Sequence, residues 1–115
     1  MKKSLIILLA LILSFLTSCE ELSNSGTVKY EVTCSPSGFD ITYENSSGNT
    51  EQKDISSGSW SSSFKGYSGD FVYISAQADN ENATITAKIY YKGDVIETAT
   101  SSGDYVIATA SGSLP

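Results

Sequence analysis

The sequence predicts an all-β protein, an antiparallel β-sandwich of about seven short strands in one domain. Apolar and polar side chains alternate along most of the chain after residue 27, which is the period of a half-buried strand. Clusters of Gly, Ser, Asn and Asp interrupt the alternation roughly every 8–12 residues, as turns do in such sandwiches. No window after the N-terminal segment has the period of a helix. These observations together favour short strands joined by turns.

The composition limits what a single small domain of this kind can do. The chain has 115 residues, and residues 20–115 carry 5 Lys and 13 Asp or Glu, a formal net charge of −8. Such an acidic domain does not hold a phosphate backbone by counter-ion release, so we expect no nucleic-acid partner. The sequence has no histidine, which excludes a Ser-His-Asp or Cys-His catalytic centre and an imidazole metal site.

The N-terminal segment has the pattern of a bacterial signal peptide. Lys2 and Lys3 form a short basic region, and residues 5–16 are an almost unbroken apolar run. A helix of about 12–15 residues falls short of a hydrocarbon core that is about 30 Å thick. We therefore expect residues 1–18 to be a signal peptide rather than a permanent transmembrane helix.

Residues 16–19, Leu-Thr-Ser-Cys, resemble the lipobox of bacterial lipoproteins. In that motif the thiol is the nucleophile that accepts the lipid, and small side chains precede the cut. We expect signal peptidase II to cleave between Ser18 and Cys19, and Cys19 to carry the covalent lipid of the mature protein. The alternative is an ordinary signal peptide in which Cys19 is incidental. A diacylglyceryl group with a further amide-linked chain anchors a protein stably, unlike a single acyl chain.

The residues after the cysteine bear on the location in the cell envelope. Glu20 and Glu21 stand where the familiar inner-membrane retention signal has Asp. We expect a protein anchored outside the cytoplasm at the outer membrane, on its periplasmic or its surface-exposed side. Residues 19–26 are predicted to be a lipidated tether, and residues 27–115 the sandwich domain.

The strands follow one another along residues 27–115. Residues 28–34 and 39–44 alternate on either side of a turn, which predicts a hairpin. Residues 56–63, with six serines, predict an irregular edge or loop. Glycine in the 92–94 turn predicts a tight hairpin. The other predicted strands are residues 50–55, 71–78, 85–91, 95–100 and 105–110.

An ordered set of short motifs resembles a known family. The motifs are Tyr-Glu-Val-Thr (30–33), Phe-Asp-Ile-Thr-Tyr (39–43), Gly-Ser-Trp-Ser (58–61), Ile-Ser-Ala-Gln (74–77) and Ala-Lys-Ile-Tyr-Tyr-Lys-Gly-Asp-Val-Ile (87–96). In this order they resemble the extracytoplasmic domain of the mycobacterial small membrane protein (MmpS) family, over residues 28–112. The resemblance implies an immunoglobulin-like β-sandwich that assists a resistance-nodulation-division-type exporter of lipids or siderophores.

The chain departs from that family at three places. A lipobox stands where family members usually have a transmembrane helix. Ser59 precedes the tryptophan in place of the usual proline. Ala87 and either Ala108 or Ala110 stand where the family commonly has a cysteine pair, so no disulfide is expected there.

Three aromatic residues and one cysteine are the side chains with the most specific possible roles. Trp60, Phe64 and Tyr67 are a candidate aromatic patch for a sugar or a lipid, but a Trp in a small sandwich also serves to fill the core. Cys34 has no partner once Cys19 is acylated. Its place on an apolar strand face predicts a buried small hydrophobe, with a reactive or intermolecular thiol as the alternative.

Residues 79–82, Asp-Asn-Glu-Asn, supply oxygen atoms but lack the spacing of a calcium loop. They are therefore read as a solvated turn, and we expect no metal site. No carboxylate has a neighbour that predicts a catalytic pair, so we expect no catalytic residues and no cofactor apart from the lipid on Cys19.

The predicted function is a membrane-anchored, non-enzymatic accessory protein of the cell envelope that assists a transporter or another envelope protein. The alternative is a surface-displayed ligand-binding or adhesive module that uses Trp60 and the exposed tyrosines of the strands. A small hydrolase is the third reading, and a 96-residue sandwich offers it little cleft.

Overall fold

The computed structural model describes residues 24–115. The predicted signal peptide, Cys19 and the first part of the tether lie outside the described residues. Ser25 and Gly26, assigned to the tether, already belong to the first strand. The eight strands are β1 (Ser25–Ser35), β2 (Phe39–Glu44), β3 (Thr50–Ile55), β4 (Ser59–Tyr67), β5 (Phe71–Ala78), β6 (Ala83–Tyr91), β7 (Asp94–Gly103) and β8 (Ile107–Ser113).

The strands form two four-stranded antiparallel sheets. The first sheet has the order β4-β1-β6-β7 and the second the order β3-β2-β5-β8. Alternate residues of the central strands point inward, and those of both sheets form one apolar core. The predicted all-β class and the packing of two antiparallel sheets are confirmed. The largest fully buried side chains are Tyr30, Phe39, Ile41, Ile74, Ile85, Ile89, Val28, Val32 and Val72.

The hairpin predicted from residues 28–34 and 39–44 is wrong. β1 pairs with β4 and β6, whereas β2 pairs with β3 and β5 in the other sheet. The connection between them crosses from sheet to sheet, and the Gly38 N–H donates to the Ser57 carbonyl at 3.1 Å. Alternation identifies the buried face of a strand. It does not show whether the next strand in sequence pairs with it in the same sheet or packs against it from the facing sheet, because both arrangements bury the same face.

Residues 56–63, predicted to be an irregular edge or loop, contain the start of β4, a regular strand at the edge of the first sheet, and this strand is the eighth. β4 begins at Ser59 and pairs with β1 from Thr33↔Ser59 to Ser25↔Tyr67. Serine and glycine have low strand propensity, and Ser62 breaks the apolar alternation between Trp60 and Phe64. Backbone pairing with a long central strand overrides that weak local preference.

Tyr30 links the two sheets through its hydroxyl group. Its side chain projects from β1 in the first sheet and is fully buried. The hydroxyl donates to the Glu44 carbonyl (2.8 Å) and accepts from the Tyr73 N–H (3.2 Å), both in the second sheet. The β2–β5 ladder ends next to them, at Tyr43↔Ile74. Burial raises the pKa of the Tyr30 phenol to about 12, although the hydrogen bond from Tyr73 opposes the rise.

The tight turn between β6 and β7 is confirmed. Lys92 and Gly93 have φ angles of 53° and 86°. Two successive positive φ angles define the type I′ turn that matches the twist of a two-residue hairpin. The glycine adopts this conformation without the steric cost that a side chain brings.

Candidate functional site

The predicted aromatic patch is divided between two faces of β4. Trp60 and Phe64 lie opposite Val32 and Val28 of β1 and point inward, where both pack against the core. Tyr67 points outward and is 50% exposed. The Lys65 Nζ lies 5.6 Å from its ring centroid. The three side chains therefore do not form one surface.

Trp60 and Phe64 instead belong to a cluster of rings between the β3 and β4 edges of the two sheets. Trp60 lies with its ring centroid 5.0 Å from that of Tyr43, and Phe64 lies 5.4 Å from Tyr30. Tyr30 and Tyr43 meet edge to face at 5.8 Å. We call Tyr30, Tyr43, Trp60 and Phe64 the aromatic wedge. Trp60 is half-buried, which agrees with a core-filling role and leaves part of the ring accessible at the edge.

The surface of the sandwich has shallow depressions. One of about 270 Å³ lies on the outer face of the first sheet between β1 and β4, and its lining includes Glu31, Thr33, Ser59 and Ser61. Another, of about 440 Å³, lies on the outer face of the second sheet between β2 and β3. Both are open to solvent and lined mainly by polar groups, so neither excludes water from a bound molecule.

Asp40 and Asp54 form a carboxylate pair in the second depression. They stand directly opposite each other on β2 and β3. A hydrogen bond to Asp54 raises the pKa of Asp40 to about 6, with smaller contributions from desolvation and from the charges of Asp79 and Asp54. The sequence analysis missed this pair because the two residues are adjacent only through the β2–β3 register. If the residues on either side of the turn at 45–49 are paired outward from Glu44 and Thr50, Asp40 falls opposite Asp54.

Cys34 is the free cysteine of the described residues, and it is 7% exposed. Its Sγ donates to the Pro36 carbonyl at 3.3 Å. Desolvation, and then the charge of Asp79, raise the pKa of the thiol. The predicted buried position is confirmed, and the raised pKa disfavours the thiolate, which is the reactive form.

The Asp-Asn-Glu-Asn turn at residues 79–82 is tied to neighbouring loops. The Asn80 side-chain amide donates to the Ser37 carbonyl, and the Asn82 N–H donates to a carboxylate oxygen of Asp104, each at 2.9 Å. These contacts join three connections at one end of the sandwich. Within residues 24–115 no group of three Cys, Asp or Glu side chains has a metal-binding arrangement.

The chain enters the sandwich at the opposite end. The Asn24 carbonyl accepts a hydrogen bond from the Ser68 N–H at 2.9 Å, and Ser25 pairs with Tyr67. The Leu114 N–H donates to the Asp70 carbonyl at 2.8 Å, so the last residues return to the same place. We call this the entry end, which holds the turns at residues 45–49, 68–70 and 92–93. The far end holds the connections at residues 36–38, 56–58, 79–82 and 104–106.

The sequence matches no protein-family model, and no curated protein matches it. The resemblance to the MmpS family therefore stays a prediction. In the described part of the chain, no helix is long and apolar enough to span a membrane.

Proposed function

We propose that this chain is a bacterial lipoprotein whose β-sandwich is a non-enzymatic accessory domain at the surface of an envelope membrane. The observation that carries the proposal is the short interval between the lipobox cysteine and the folded domain. Cys19 lies five residues before Asn24. The carbonyl of Asn24 is already hydrogen-bonded within the sandwich. A lipid on Cys19 would therefore hold the whole domain against the membrane.

The strand order supports an immunoglobulin-like assignment for part of the sandwich. The pairs β1–β4, β2–β5 and β5–β8 correspond to B–E, C–F and F–G of an immunoglobulin domain. β3 lies beside β2 as C′ lies beside C in the variable type. β6 and β7 form a hairpin on the free side of β1, where an immunoglobulin domain has strand A. The assignment is thus a core of immunoglobulin pairings with one hairpin in an unusual position.

The kind of surface that the described residues present supports the proposal of a non-enzymatic role. Asp40 and Asp54, the carboxylate pair described above, lie on an open sheet face beside Thr42 and Gln52. General acid–base chemistry gains most where a pocket orients the substrate and excludes water. A flat polar face on a tethered domain suits contact with another macromolecule better, which is the role that the MmpS resemblance implies beside an exporter.

Metabolic labelling tests the anchor, and the two cysteines of the chain provide a matched pair. Cys19→Ala should abolish the incorporation of labelled palmitate and leave an unprocessed precursor. Cys34→Ala should leave both labelling and processing intact, because this thiol is buried in the fold. Palmitate incorporation into the Cys19→Ala variant would refute the lipoprotein assignment.

Co-purification tests the accessory role. The lipidated protein, extracted from membranes in mild detergent, should carry an envelope transporter with it, and the Cys19→Ala precursor should recover less. If no transport protein is enriched relative to a control purification with an unrelated lipoprotein, the transporter role is contradicted.

The alternative function is a surface-displayed binding module. It is favoured by one observation, that Trp60 is only half-buried at the β4 edge of the sandwich. Protease added to intact cells distinguishes the two. Digestion of the domain at the cell surface would favour the binding module, whereas protection until the outer membrane is opened would favour the transport accessory.

A further inference from the structure

The length of the tether limits which part of the domain can reach the membrane. Five residues span at most about 18 Å when fully extended. β1, with 11 residues, is about 33 Å long at 3.3 Å per residue. The entry end can therefore rest on the membrane that holds Cys19, but the far end touches it only if the domain lies on its side.

Exposed apolar side chains surround the entry end. Tyr67, Phe71 and Val95 are 50%, 54% and 49% exposed, and each lies within a few residues of an entry-end turn. Tyr67 and Val95 belong to the two opposite edge strands of the first sheet, whereas Phe71 begins a central strand of the second sheet. We call these three residues the rim, because they mark three separate points around one end of the sandwich.

The chemistry of the rim suits the boundary between lipid headgroups and acyl chains. Tyrosine has an apolar ring and a polar tip, and such side chains are enriched at that boundary. Lysine stems cover apolar surface while the ammonium group stays at the headgroups. Lys65 lies against the Tyr67 ring, and the Lys92 Nζ lies 5.3 Å from the ring centroid of Tyr91, next to the turn that precedes Val95.

Both ends of the sandwich carry more acidic than basic side chains. Around the entry end Lys65 and Lys92 offset only part of the charge of Glu44, Glu51, Asp70 and Asp94. The connections of the far end contain Asp79, Glu81 and Asp104 and no lysine. Anionic headgroups therefore repel the far end more strongly than the entry end, and contact through the rim depends on its apolar side chains rather than on net charge.

We infer that the entry end is a membrane-docking face: Tyr67, Phe71 and Val95 insert among the lipid headgroups, and the sandwich stands upright on the membrane. The inference rests on the lipid anchor of the proposed function. Docking would present the acidic far end and the two sheet faces to partners at a fixed height. An undocked domain would swing freely on its tether.

Lipid quenching of a fluorescent label tests the docked orientation in the full lipidated protein. The protein, with Cys34→Ala to remove the second thiol, is reconstituted into vesicles of phosphatidylethanolamine and phosphatidylglycerol. One version carries the label on Ser68→Cys in the entry-end turn, and another on Glu81→Cys at the far end. Headgroup-attached nitroxide should quench the label at position 68 strongly and the label at position 81 weakly.

Proximity to the tether alone could bring position 68 near the lipid, so the rim itself must be varied. The combination of Tyr67→Ser, Phe71→Ser and Val95→Ser should lose much of the quenching at position 68, because the domain no longer docks. The matched control is Tyr105→Ser with Ile107→Ser, which removes residues of equal exposure, 52% and 53%, near the far end. The control should retain the quenching. All these side chains are at the surface, so melting temperatures should be unchanged.

Flotation of the same vesicles separates failure of docking from failure of the anchor. If the protein floats with the vesicles but the label at position 68 is quenched as strongly in the rim variant as in the control, the docking face is wrong and the anchor stands. Equal quenching at positions 68 and 81 in floating protein would overturn it too. Purified protein that carries no lipid and does not float would overturn the proposed function itself, and the docking face with it.

Discussion

The two lateral edges of the sandwich are closed in different ways. At the β7/β8 edge most inward side chains are small, namely Ala99, Ser101, Ala108 and Ala110, and the Ser101 hydroxyl donates to the Ile107 carbonyl at 2.6 Å, joining the two sheets directly. At the β3/β4 edge the rings of Tyr43, Trp60 and Phe64 fill the space between the sheets. One edge is thus held by close approach of the chain, and the other by side-chain volume.

The difference also appears in the inward positions of the edge strands. β3 points Glu51, Lys53 and Ile55 toward the same side as the buried residues of β2. Inward-pointing charges on an edge strand discourage another chain from adding to the sheet. The wide edge therefore carries a large apolar filling, whereas the narrow edge is closed mainly by small side chains. Inward charges occur at both edges, because Glu97 of β7 lies against Gly112 of β8. We expect mutations at the two edges to lower the free energy of unfolding for opposite reasons. Loss of side-chain volume destabilises the wide edge, and added volume destabilises the narrow edge.

The largest effect is expected at the wide edge. Trp60→Ala removes the ring that packs on Tyr43 and should lower the free energy of unfolding by about 3 kcal/mol, near the low end for a buried Trp because the side chain is half-buried. Tyr67→Ala, on the outward face of the same strand, should change it by no more than about 0.5 kcal/mol. Urea unfolding of residues 20–115, followed by circular dichroism, measures both. Equal stabilities for the two variants would mean that Trp60 does not support the edge.

The next effect concerns the hydroxyl group beneath the aromatic wedge. Tyr30→Phe keeps the ring but leaves the Glu44 carbonyl and the Tyr73 N–H without their partner, at a cost of about 1–3 kcal/mol. Tyr90→Phe is the control, since its hydroxyl bonds to Glu31 in a more exposed position. The same unfolding assay applies, and a Tyr30→Phe variant as stable as the parent would show that these backbone groups find another partner.

The narrow edge should respond to added volume. Ala108 is buried on β8 opposite Ala76, so Ala108→Leu forces extra methylene groups between closely spaced sheets and should cost about 1–3 kcal/mol. Thr109→Leu adds a similar side chain on the outward face and should be close to neutral. Comparison of their melting temperatures tests the reasoning, which fails if the two leucines are tolerated equally.

The smallest effect is a pH dependence at the wide edge. The folded-state pKa of Asp40 is raised to about 6 by Asp54, above the usual value near 4 in an unfolded chain. The folded state therefore binds more protons between these values, and stability should rise as the pH falls from 7 to 5. The protection factors of the β3 amides in hydrogen exchange, which are corrected for the intrinsic pH dependence of exchange, should rise over this range. Asp54→Asn should remove most of the dependence, and an unchanged profile in that variant would contradict it.

The sequence predicted the buried faces better than it predicted the neighbours of each strand. Alternation correctly placed Val28, Tyr30, Val32 and Cys34 on one buried face, because burial is a local property of the pattern. It did not reveal that β1 and β2 lie in different sheets, since that depends on long-range pairing. The sequence did not predict β4 as a regular strand, because its serines have little strand preference of their own. β4 forms through pairing with β1.

The candidate site shows the same limit. The aromatic residues Trp60, Phe64 and Tyr67 are close in sequence, but the period of two in a strand sends Tyr67 to the opposite face. The Asp40–Asp54 pair and the rim become visible only when the register and the ends of the strands are known. The lipobox-like motif of residues 16–19, by contrast, is local, so its prediction requires no knowledge of the fold.

The most direct test of the central claim is the intact mass of the protein purified from bacterial membranes. We predict a chain that begins at Cys19 and is heavier than its amino-acid mass by a diacylglyceryl group and one further acyl chain. Cys34 should be unmodified in the same molecule. A mass equal to that of the unmodified chain, or an N-terminus at another residue, would contradict the claim that this sandwich is held to the membrane by its first cysteine.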